Sequence, residues 1–331
     1  MGVRRKPKVG NPMRNVFCAG ELLIDFVCKD IGVTLAEGMH FEKKAGGAPA
    51  NVAAAVAKLG GNAFFMGKVG EDAFGTFLER TLQEAKVNTS MLTKGGHTTL
   101  AFVSIASDGE RDFIFQRGAD GEYSFANIDL EKLASSDILH LGSATAWLPG
   151  ELKETYYQLL AHAKKQGIFL SFDPNYRSAL IVNREEFREN CLEFAAQADF
   201  VKMSEEEAKM IGKTDDLHEA VEMILKAGAK ILCVTLGAKG TLLATNERKE
   251  LLPSIPIKQV DSTGAGDAFV GAMLYQFSHE VELADVQHDF AKLAEFVCFA
   301  NKVGAITCTN FGAISSMPSL HEVTLFKEGM C

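Results

Sequence analysis

The stretch Asp261-Ser262-Thr263-Gly264-Ala265-Gly266-Asp267 is followed directly by a run of apolar residues at 268–275. The run is apolar on nearly every face, which is typical of a buried helix. A glycine turn that opens such a helix exposes backbone N–H groups at the positive end of the helix dipole, where they bind anions, phosphate above all. Asp267, in the first turn, can take a proton from a hydroxyl while the turn holds a phosphoryl group. The stretch therefore predicts a phosphotransferase acting on an alcohol.

Two widely known glycine motifs do not describe this turn. The dinucleotide-binding fingerprint G-x-G-x-x-G requires a third glycine where the chain has Phe269. The P-loop pattern G-x-x-x-x-G-K-[S/T] fails at Gly67-Lys68, because Asn62 and Val69 occupy its outer positions. A phosphate site of another kind is required.

Length and composition narrow the class of protein. A chain of 331 residues with 47% hydrophobic content can build one large α/β domain, or a large domain with a smaller one attached. The net charge of −9 argues against broad nucleic-acid binding, which needs a basic face. No apolar run approaches the roughly 18 residues that span a bilayer, so no membrane partner is expected.

The cysteines and the N-terminus indicate the compartment. Seven widely spaced cysteines without a C-x-x-C pair argue against a disulfide framework or a zinc site, and they predict a reducing cytoplasm. Residues 1–14 are basic but lack the apolar segment of a secretory signal, so we interpret them as a solvated tail.

Apolar strands and helical stretches alternate along most of the chain. The predicted strands are 16–20, 63–69, 138–141, 168–172, 200–202 and 231–235, and the predicted helices are 52–59, 74–84, 152–166, 187–196 and 217–227. Helices of this length can connect parallel strands, which indicates a doubly wound sheet. Its site should lie at the carboxyl ends of the strands, where Asp173, Ser204 and Gly237 each follow a strand.

A second pattern interrupts this alternation. Residues 99–105 and 112–117 read as strands, and the Asp108-Gly109 pair between them is typical of a hairpin turn. We expect this hairpin to form a separate small sheet with residues 22–44.

Two signatures together resemble a known family. Asp261–Phe269 fits D-[S/T]-T-G-A-G-D-x-F, and Gly46–Asn51 fits G-G-x-x-x-N about 215 residues earlier, as in the ribokinase-like (PfkB) carbohydrate kinases. The resemblance runs from about residue 15 to 320. It implies a three-layer α/β/α sandwich with a mainly parallel central sheet. A kinase domain over 15–331 would carry a small β-sheet lid from about 22–44 and 98–118.

The resemblance also implies roles for individual residues. Asp267 would be the catalytic base, and the anion hole would consist of Gly264, Ala265 and Gly266. The sugar would contact Asp25, Gly46, Gly47, Asn51, Phe115, Arg117, Asn175 and Arg177. ATP would contact Ser204, Glu207, Thr235, Gly237, Lys239, Gly240, Asn301 and Ala305. Taken alone, Asn51 could equally cap a helix, and Arg117 and Arg177 could be surface arginines.

Two cations are implied as well. Glu207 would orient water around Mg²⁺, which usually keeps several waters and binds phosphate oxygens. A monovalent-cation site suited to K⁺ would use Asp261, Thr263, Asn310, Gly312 and Ser316. The sequence departs from the family at Ser204, which stands where many relatives have the Asn of N-x-x-E.

The acceptor follows from finer resemblances. Gly20–Asp25 resembles the G-E-x-L-x-D opening of fructokinases. Phe115–Arg117 (F-x-R) and Asp173–Arg177 (D-x-N-x-R) resemble elements of fructokinases and 2-keto-3-deoxygluconate kinases. We expect phosphoryl transfer from Mg-ATP to the 6-hydroxyl of D-fructose, and a homodimer formed through the lid. The alternatives are a 2-keto-3-deoxygluconate kinase, a ribokinase, or a sugar- or nucleotide-binding sensor without catalysis, against which the intact 264–267 motif argues.

Overall fold

The structure, a computed structural model, describes residues 13–107, 111–134, 137–280 and 282–326. The predicted tail up to residue 12, the Asp108-Gly109 turn and residues 327–331 lie outside these ranges. Among the described residues, no helix has the length and apolar character needed to cross a membrane.

The strands fall into two sheets. In chain order they are β1 (Asn15–Ala19), β2 (Leu23–Cys28), β3 (Phe41–Gly46), β4 (Asn62–Val69), β5 (Asn88–Lys94), β6 (Leu100–Ile105), β7 (Arg111–Gln116), β8 (Ile138–Leu141), β9 (Phe169–Phe172), β10 (Phe200–Ser204), β11 (Ile231–Thr235), β12 (Thr241–Ala244) and β13 (Lys249–Leu252). The described strands of the large sheet run β13-β12-β11-β10-β9-β8-β1-β4-β5. Neighbouring strands pair parallel except at one edge, where the β11–β12 and β12–β13 pairings are antiparallel.

Helices cover both faces of the large sheet. They are α1 (Ala48–Lys58), α2 (Ala73–Glu84), α3 (Glu151–Gln166), α4 (Arg184–Gln197), α5 (Glu205–Gly212), α6 (Leu217–Ala227), α7 (Ala265–Ser278), α8 (Phe290–Thr307) and α9 (Leu320–Leu325). One apolar core joins the sheet to α1, α2, α7 and α8, and a second joins its other face to α3, α4, α5 and α6. The predicted α/β/α sandwich is thereby confirmed.

The packing of α1 against α7 depends on small side chains. A Cβ added to Gly271 would collide with the Ala55 methyl group and lie 3.0 Å from the Val52 carbonyl oxygen. The two helix backbones can therefore approach closely only because the side chains at the contact are small. This contact holds the N-terminal ends of α1 and α7 side by side.

The small sheet has the order β3-β2-β6-β7 in the described residues. β6 and β7 pair antiparallel, which confirms the hairpin, and β2 pairs parallel with β6. β3 extends to Gly46, two residues beyond the predicted lid segment.

Some elements lie outside the sequence predictions. β5, at one edge of the large sheet, is largely polar because its outer side lacks a neighbouring strand. β12 and β13 have four residues each, too few to establish a period of two.

The strand order places a crevice beside β1. From β1 the chain proceeds to β4 and β5 on one side, and later to β8, β9, β10 and β11 on the other. Such a reversal opens a crevice at the carboxyl ends of the strands, where doubly wound proteins bind ligands. The segments after β1, β9, β10 and β11 all lie at this end of the sheet.

Candidate active site

Gly264 starts α7 in a conformation that favours glycine. Its φ is 76°, in the left-handed region. An added Cβ would also lie 2.8 Å from the Cβ of Ala313. The Ala268 N–H donates to the Gly264 carbonyl at 2.8 Å, so the amides of Gly266 and Asp267 precede the helix's own hydrogen bonds. The predicted glycine turn is therefore present at the N-terminus of α7, and its binding of an anion stays a prediction.

Asp267 is buried in the first turn of α7 and contacts the second signature directly. Its Oδ2 accepts a hydrogen bond from Asn51 Nδ2 at 2.8 Å. Burial raises the pKa of Asp267, although the Asn51 bond and the charges of Arg177 and Lys202 oppose this shift. A carboxylate with a raised pKa is a better proton acceptor than a solvated one. Asn51 Oδ1 is buried without a partner among the described residues, so it can accept from a bound hydroxyl.

Asp25 faces the site from the small sheet. The register of β2, β6 and β7 aligns Asp25, Ala101 and Phe115 in one row, so Asp25 and Phe115 share a face. Burial raises the pKa of Asp25 to about 6, against the opposing charges of Arg177 and Lys44.

The paired glycines make room for other protein groups. A side chain at Gly46 would collide with the Asp25 carboxylate, and one at Gly47 would collide with the Glu21 carbonyl. Gly47 has a φ of 117°, so its conformation also favours glycine. The two glycines thus position Asp25 and the start of α1, in addition to the predicted approach to the sugar.

Arg177 connects the two carboxylates electrostatically. Its charge lowers the pKa of both Asp25 and Asp267, and its side chain is exposed. Asn175 precedes it in the loop and is buried, with Nδ2 donating to the Gly142 carbonyl at 2.7 Å. Arg177 is therefore close to the predicted sugar site, while the Asn175 side chain shapes the loop that carries it.

Replacing Arg177 with glutamine is expected to move the acid limb of kcat/KM to higher pH. Loss of the positive charge raises the pKa of both Asp25 and Asp267, and because the pKa of Asp25 is already about 6, more of the Asp25 carboxyl is then protonated near pH 6. Activity relative to wild type should fall a few-fold more at pH 6 than at pH 8, because the exposed charge is partly screened. Arg184→Gln is the control, because it removes the same charge near the same loop, where Arg184 lies over the Tyr176 ring at 6.0 Å. An unchanged pH profile in Arg177→Gln would contradict the expectation.

The structure does not bring Arg117 to these residues. Its Nε donates to Asp120 Oδ2 at 3.3 Å, and its terminal nitrogens donate to the carbonyls of Pro149 at 2.5 Å and Thr145 at 3.0 Å. Asp120 is buried and also accepts from Thr99, which precedes β6. Arg117 thus anchors the ends of the β6–β7 hairpin to the large domain, and its contact with sugar stays a prediction.

Ser204 and Glu207 form a capping box at the start of α5. Glu207 N–H donates to Ser204 Oγ at 3.2 Å, and Ser204 N–H donates to Glu207 Oε2 at 2.7 Å. Glu207 Oε1 accepts from the Tyr176 N–H at 2.7 Å. Glu207 is buried but each oxygen keeps a lone pair that water can use. The cap uses one lone pair of Ser204 Oγ, and the O–H donor remains available for the predicted nucleotide contact.

The loop from Thr235 to Gly240 lies beside this box. Thr235 is directly opposite Ser204 in the β10–β11 register. Gly237 has a φ of 59° with open space beside its Cα, and Lys239 is exposed. Leu236 N–H donates to the Gly240 carbonyl at 2.8 Å, which closes the loop. The loop therefore offers an accessible backbone surface beside Ser204, as a nucleotide site requires.

Asn301 and Ala305 lie on α8, beside α7. Asn301 Nδ2 donates to the carbonyls of Leu252 and Pro253, each at 3.2 Å, and Oδ1 accepts from Thr241 at 2.6 Å. Asn301 thus ties α8 to β12 and β13. Ala305 is buried beside Gly304, whose added Cβ would lie 3.2 Å from the Ala265 carbonyl oxygen. Of the two residues predicted to contact adenine, Ala305 therefore lies closer to the glycine turn than Asn301 does.

Most of the predicted cation-site residues meet around Asp261. The N–H and hydroxyl of Thr263 donate to Asp261 Oδ1 at 2.9 and 2.6 Å, and Gly312 N–H donates to Oδ2 at 3.0 Å. The Ser316 hydroxyl donates to the Gly312 carbonyl at 2.5 Å. Asn310 is exposed, and its amide donates to Thr309 at 3.3 Å. These oxygen atoms suit a hard monovalent cation beside the glycine turn.

Glu21 is a buried residue beside the start of α1 that has no predicted role. Its Oε1 accepts from the Ala48 N–H at 3.0 Å, so it caps α1, whose preceding residue is the side-chain-free Gly47. Burial raises its pKa to about 7. The sequence feature that could have identified Glu21 is a carboxylate within an otherwise apolar stretch. The amide that Glu21 caps is 27 positions away along the chain, so the contact itself could not be predicted locally.

Asp173, predicted to lie at the site because it follows a strand, forms a buried ion pair at 3.0 Å with Lys202, which the sequence signatures did not include. Lys202 lies within the apolar strand Phe200–Ser204. A lysine inside a buried strand is the signal that could have identified it.

Comparison with known proteins gives consistent results. The sequence profile of the pfkB family carbohydrate kinases matches residues 13–320. Fructokinase-1 of Oryza sativa subsp. japonica is 42% identical over 314 residues, which covers 93% of this chain and 96% of the relative.

Solved structures agree with this result. A double-mutant fructokinase from Vibrio cholerae O395, in a form bound to fructose, ADP and potassium ion, superposes with a TM-score of 0.85. It is 30% identical, and the match covers 96% of this chain and 99% of that one. A fructokinase from Xylella fastidiosa with bound ATP has a TM-score of 0.85 at 34% identity, covering 95% and 98%.

Proposed function

The chain belongs to the pfkB family of carbohydrate kinases, and from this membership and the site geometry we infer that it is an ATP-dependent fructokinase. It transfers the γ-phosphate of Mg-ATP to the 6-hydroxyl of D-fructose, giving fructose 6-phosphate and ADP. Fructose as acceptor is supported by the fructokinase relative of near-equal length and by the fructose-bound neighbour. The observation that carries the chemistry is the buried Asp267 carboxylate in the first turn of α7, hydrogen-bonded to Asn51.

The reaction is a direct in-line displacement. Asp267 takes the proton of the sugar hydroxyl, the hydroxyl oxygen forms a bond to the γ-phosphorus, and the bond to the β-phosphate oxygen of ATP breaks. The turn Gly264-Ala265-Gly266 directs the amides of Gly266 and Asp267 at the transferring group and stabilises its negative charge, while the Ala265 amide donates to the Ser262 carbonyl. Asp25 and the unpartnered Asn51 Oδ1 accept hydrogen bonds from the sugar and orient it. No phosphoenzyme forms.

Mg²⁺ would bind mainly to phosphate oxygens and water. The described residues contain no cluster of three or more His, Cys, Asp or Glu side chains able to hold a metal ion. This fits a cation that arrives with the nucleotide, and Glu207 would hold one of its waters. When bound, Mg²⁺ neutralises charge on the β- and γ-phosphates. K⁺ would bind at Asp261 and the neighbouring carbonyls, in agreement with the potassium-bound neighbour.

The acceptor is tested by measuring ADP release with Mg-ATP and four acceptors. We expect the highest kcat/KM with fructose, and lower values with ribose, 2-keto-3-deoxygluconate and adenosine. A clear preference for 2-keto-3-deoxygluconate or ribose would identify the protein as a 2-keto-3-deoxygluconate kinase or a ribokinase of the same family. A folded protein that binds nucleotide but releases no ADP with any acceptor would instead be a sensor, and the fructokinase proposal would fail.

The small sheet is proposed to act as a lid and as the dimer interface. Closure over the sugar would exclude water and limit hydrolysis of ATP. Ile114, directly opposite Phe102, is 50% exposed on the sheet face where Phe102 stacks on Phe26, and Ile105 is 55% exposed on the other face. An exposed apolar side chain on either face suits contact with a second copy of the chain. A monomeric mass by analytical ultracentrifugation at micromolar concentration would refute the dimer.

A cytoplasmic location is proposed from the state of the cysteines. Cys18, Cys191 and Cys233 are buried free thiols. Free thiols of this kind suit a reducing compartment. Cell fractionation that finds the protein in an oxidising compartment would contradict this location.

A further inference from the structure

Lys202 places a buried ammonium group beside the anion-binding turn. Lys202 is 6% exposed and lies on β10. Its Nζ would be 3.1 Å from a Cβ built on Gly266, so the ammonium contacts the open side of that residue. Gly266 belongs to the turn whose amides receive the phosphoryl group in the proposed function.

The hydrogen bonding of Lys202 leaves donors available. Its Nζ donates to Asp173 Oδ2 at 3.0 Å, and this is the ammonium's one hydrogen bond within the described ranges. An ammonium has three N–H donors. The nearby carboxylates have other partners, because Glu207 accepts from two backbone amides and Asp267 accepts from Asn51. Two donors of Lys202 can therefore bind a ligand at Gly266.

The charges around Lys202 explain why a cation is needed there. Asp173, Glu207 and Asp267 all raise the pKa of Lys202, and together they outweigh the opposing effect of its burial. An anionic phosphoryl group at the turn would meet these three carboxylates in a poorly solvated space. Like charges at close range are costly in such a space. A fixed ammonium beside Gly266 offsets this repulsion.

We propose that Lys202 is a catalytic residue whose ammonium binds an oxygen of the γ-phosphoryl group, with Asp173 holding the ammonium against Gly266. The inference rests on the proposed kinase function and deepens it. Lys202 stays protonated throughout, so the proton balance is unchanged: the hydroxyl proton goes to Asp267 and the bridging oxygen leaves with ADP. Its contribution is greatest as charge shifts among the phosphoryl oxygens during transfer.

The test is Lys202→Met, which keeps an unbranched side chain one atom shorter and removes its charge. Calorimetric titration would measure binding of ADP and of a non-hydrolysable ATP analogue, which differ in the γ-phosphate. We expect the variant to lose about 10-fold or more in affinity for the analogue while its ADP affinity stays near wild type. We also expect kcat with the best acceptor to fall about 10²-fold. Equal losses for ADP and the analogue, or an unchanged kcat, would overturn the proposal.

Two further variants separate this role from a structural one. Asp173→Asn keeps the ammonium and breaks the same ion pair, so its kcat should stay well above that of Lys202→Met. Equal kcat values in the two variants would indicate a structural pair and would reject the proposal. If Lys202→Met does not fold, the double variant Asp173→Asn with Lys202→Met removes both charges of the ion pair, and it must still show the selective loss of analogue binding. The nucleotide measurement needs no sugar, so it is independent of the acceptor. Wild-type protein that releases no ADP with any acceptor would refute the kinase assignment instead.

Discussion

Asp267→Asn is expected to lower kcat by about 10²- to 10⁴-fold while ATP binding is retained. Asparagine has nearly the same shape, and its amide oxygen can still accept the hydrogen bond that Asn51 donates at 2.8 Å. It cannot accept the hydroxyl proton, so the chemical step loses its base and little else. Steady-state kinetics measure kcat, and calorimetric titration measures the affinity for nucleotide.

Asp216→Asn is the matched control for this change. Asp216 caps α6 at the protein surface by accepting from the His218 and Glu219 amides. Asparagine is an equally good cap, so kcat and stability should both stay near wild type. A near-normal kcat in Asp267→Asn would reject Asp267 as the base. A loss of ATP affinity comparable to the loss of kcat would assign it to nucleotide binding.

Gly264→Ala is expected to lower kcat by about 10²- to 10³-fold. The added methyl group would meet the Cβ of Ala313 at 2.8 Å, in a residue whose φ is 76°. The start of α7 must then shift, and the amides of Gly266 and Asp267 move with it. Misplacing a transition-state contact by about 1 Å can cost 10²-fold in rate. The ATP and sugar KM values should change less than kcat.

Gly167→Ala separates the steric effect from backbone strain. Gly167 ends α3 with a φ of 68°, and nothing lies within 4 Å of its added Cβ. Both substitutions incur roughly 1 kcal/mol of left-handed strain, which thermal unfolding measures. The loss of kcat should occur only in Gly264→Ala. Comparable kcat losses in both variants would show that strain alone, and not the geometry of the turn, lowers activity.

Local patterns were sufficient for much of the fold. Apolar runs of strand and helix length predicted β1, β4, β8, β9 and β11 to within about a residue, because buried parallel strands need continuous apolar sequence. The glycine turn before an apolar run predicted the start of α7. The polar edge strand β5 does not carry this signal, and β12 and β13 follow β11 as antiparallel strands without connecting helices, so the alternation of strands and helices did not predict them.

Local sequence patterns predicted only part of the candidate site. A motif carries information about neighbours along the chain, so 264–267 predicted an anion-binding turn with an adjacent acid. Asn51 and Asp267 are 216 positions apart, and their hydrogen bond depends on the close packing of α1 against α7. For Arg117, a motif match suggested the sugar, and that contact stays a prediction; the hydrogen bonds of its guanidinium to Asp120, Thr145 and Pro149 became visible only in the folded chain.

The amino-acid order was enough to establish the α/β class, the two glycine signatures and Asp267 as the candidate base, since each depends on residues close together in the chain. Three-dimensional packing was needed to place Lys202 at Gly266, to cap α1 with Glu21 and to align Asp25 with Phe115. These contacts join strands and helices that are distant along the chain. Their distances and charges exist only once the sheet order brings the strand ends together, so no local pattern encodes them.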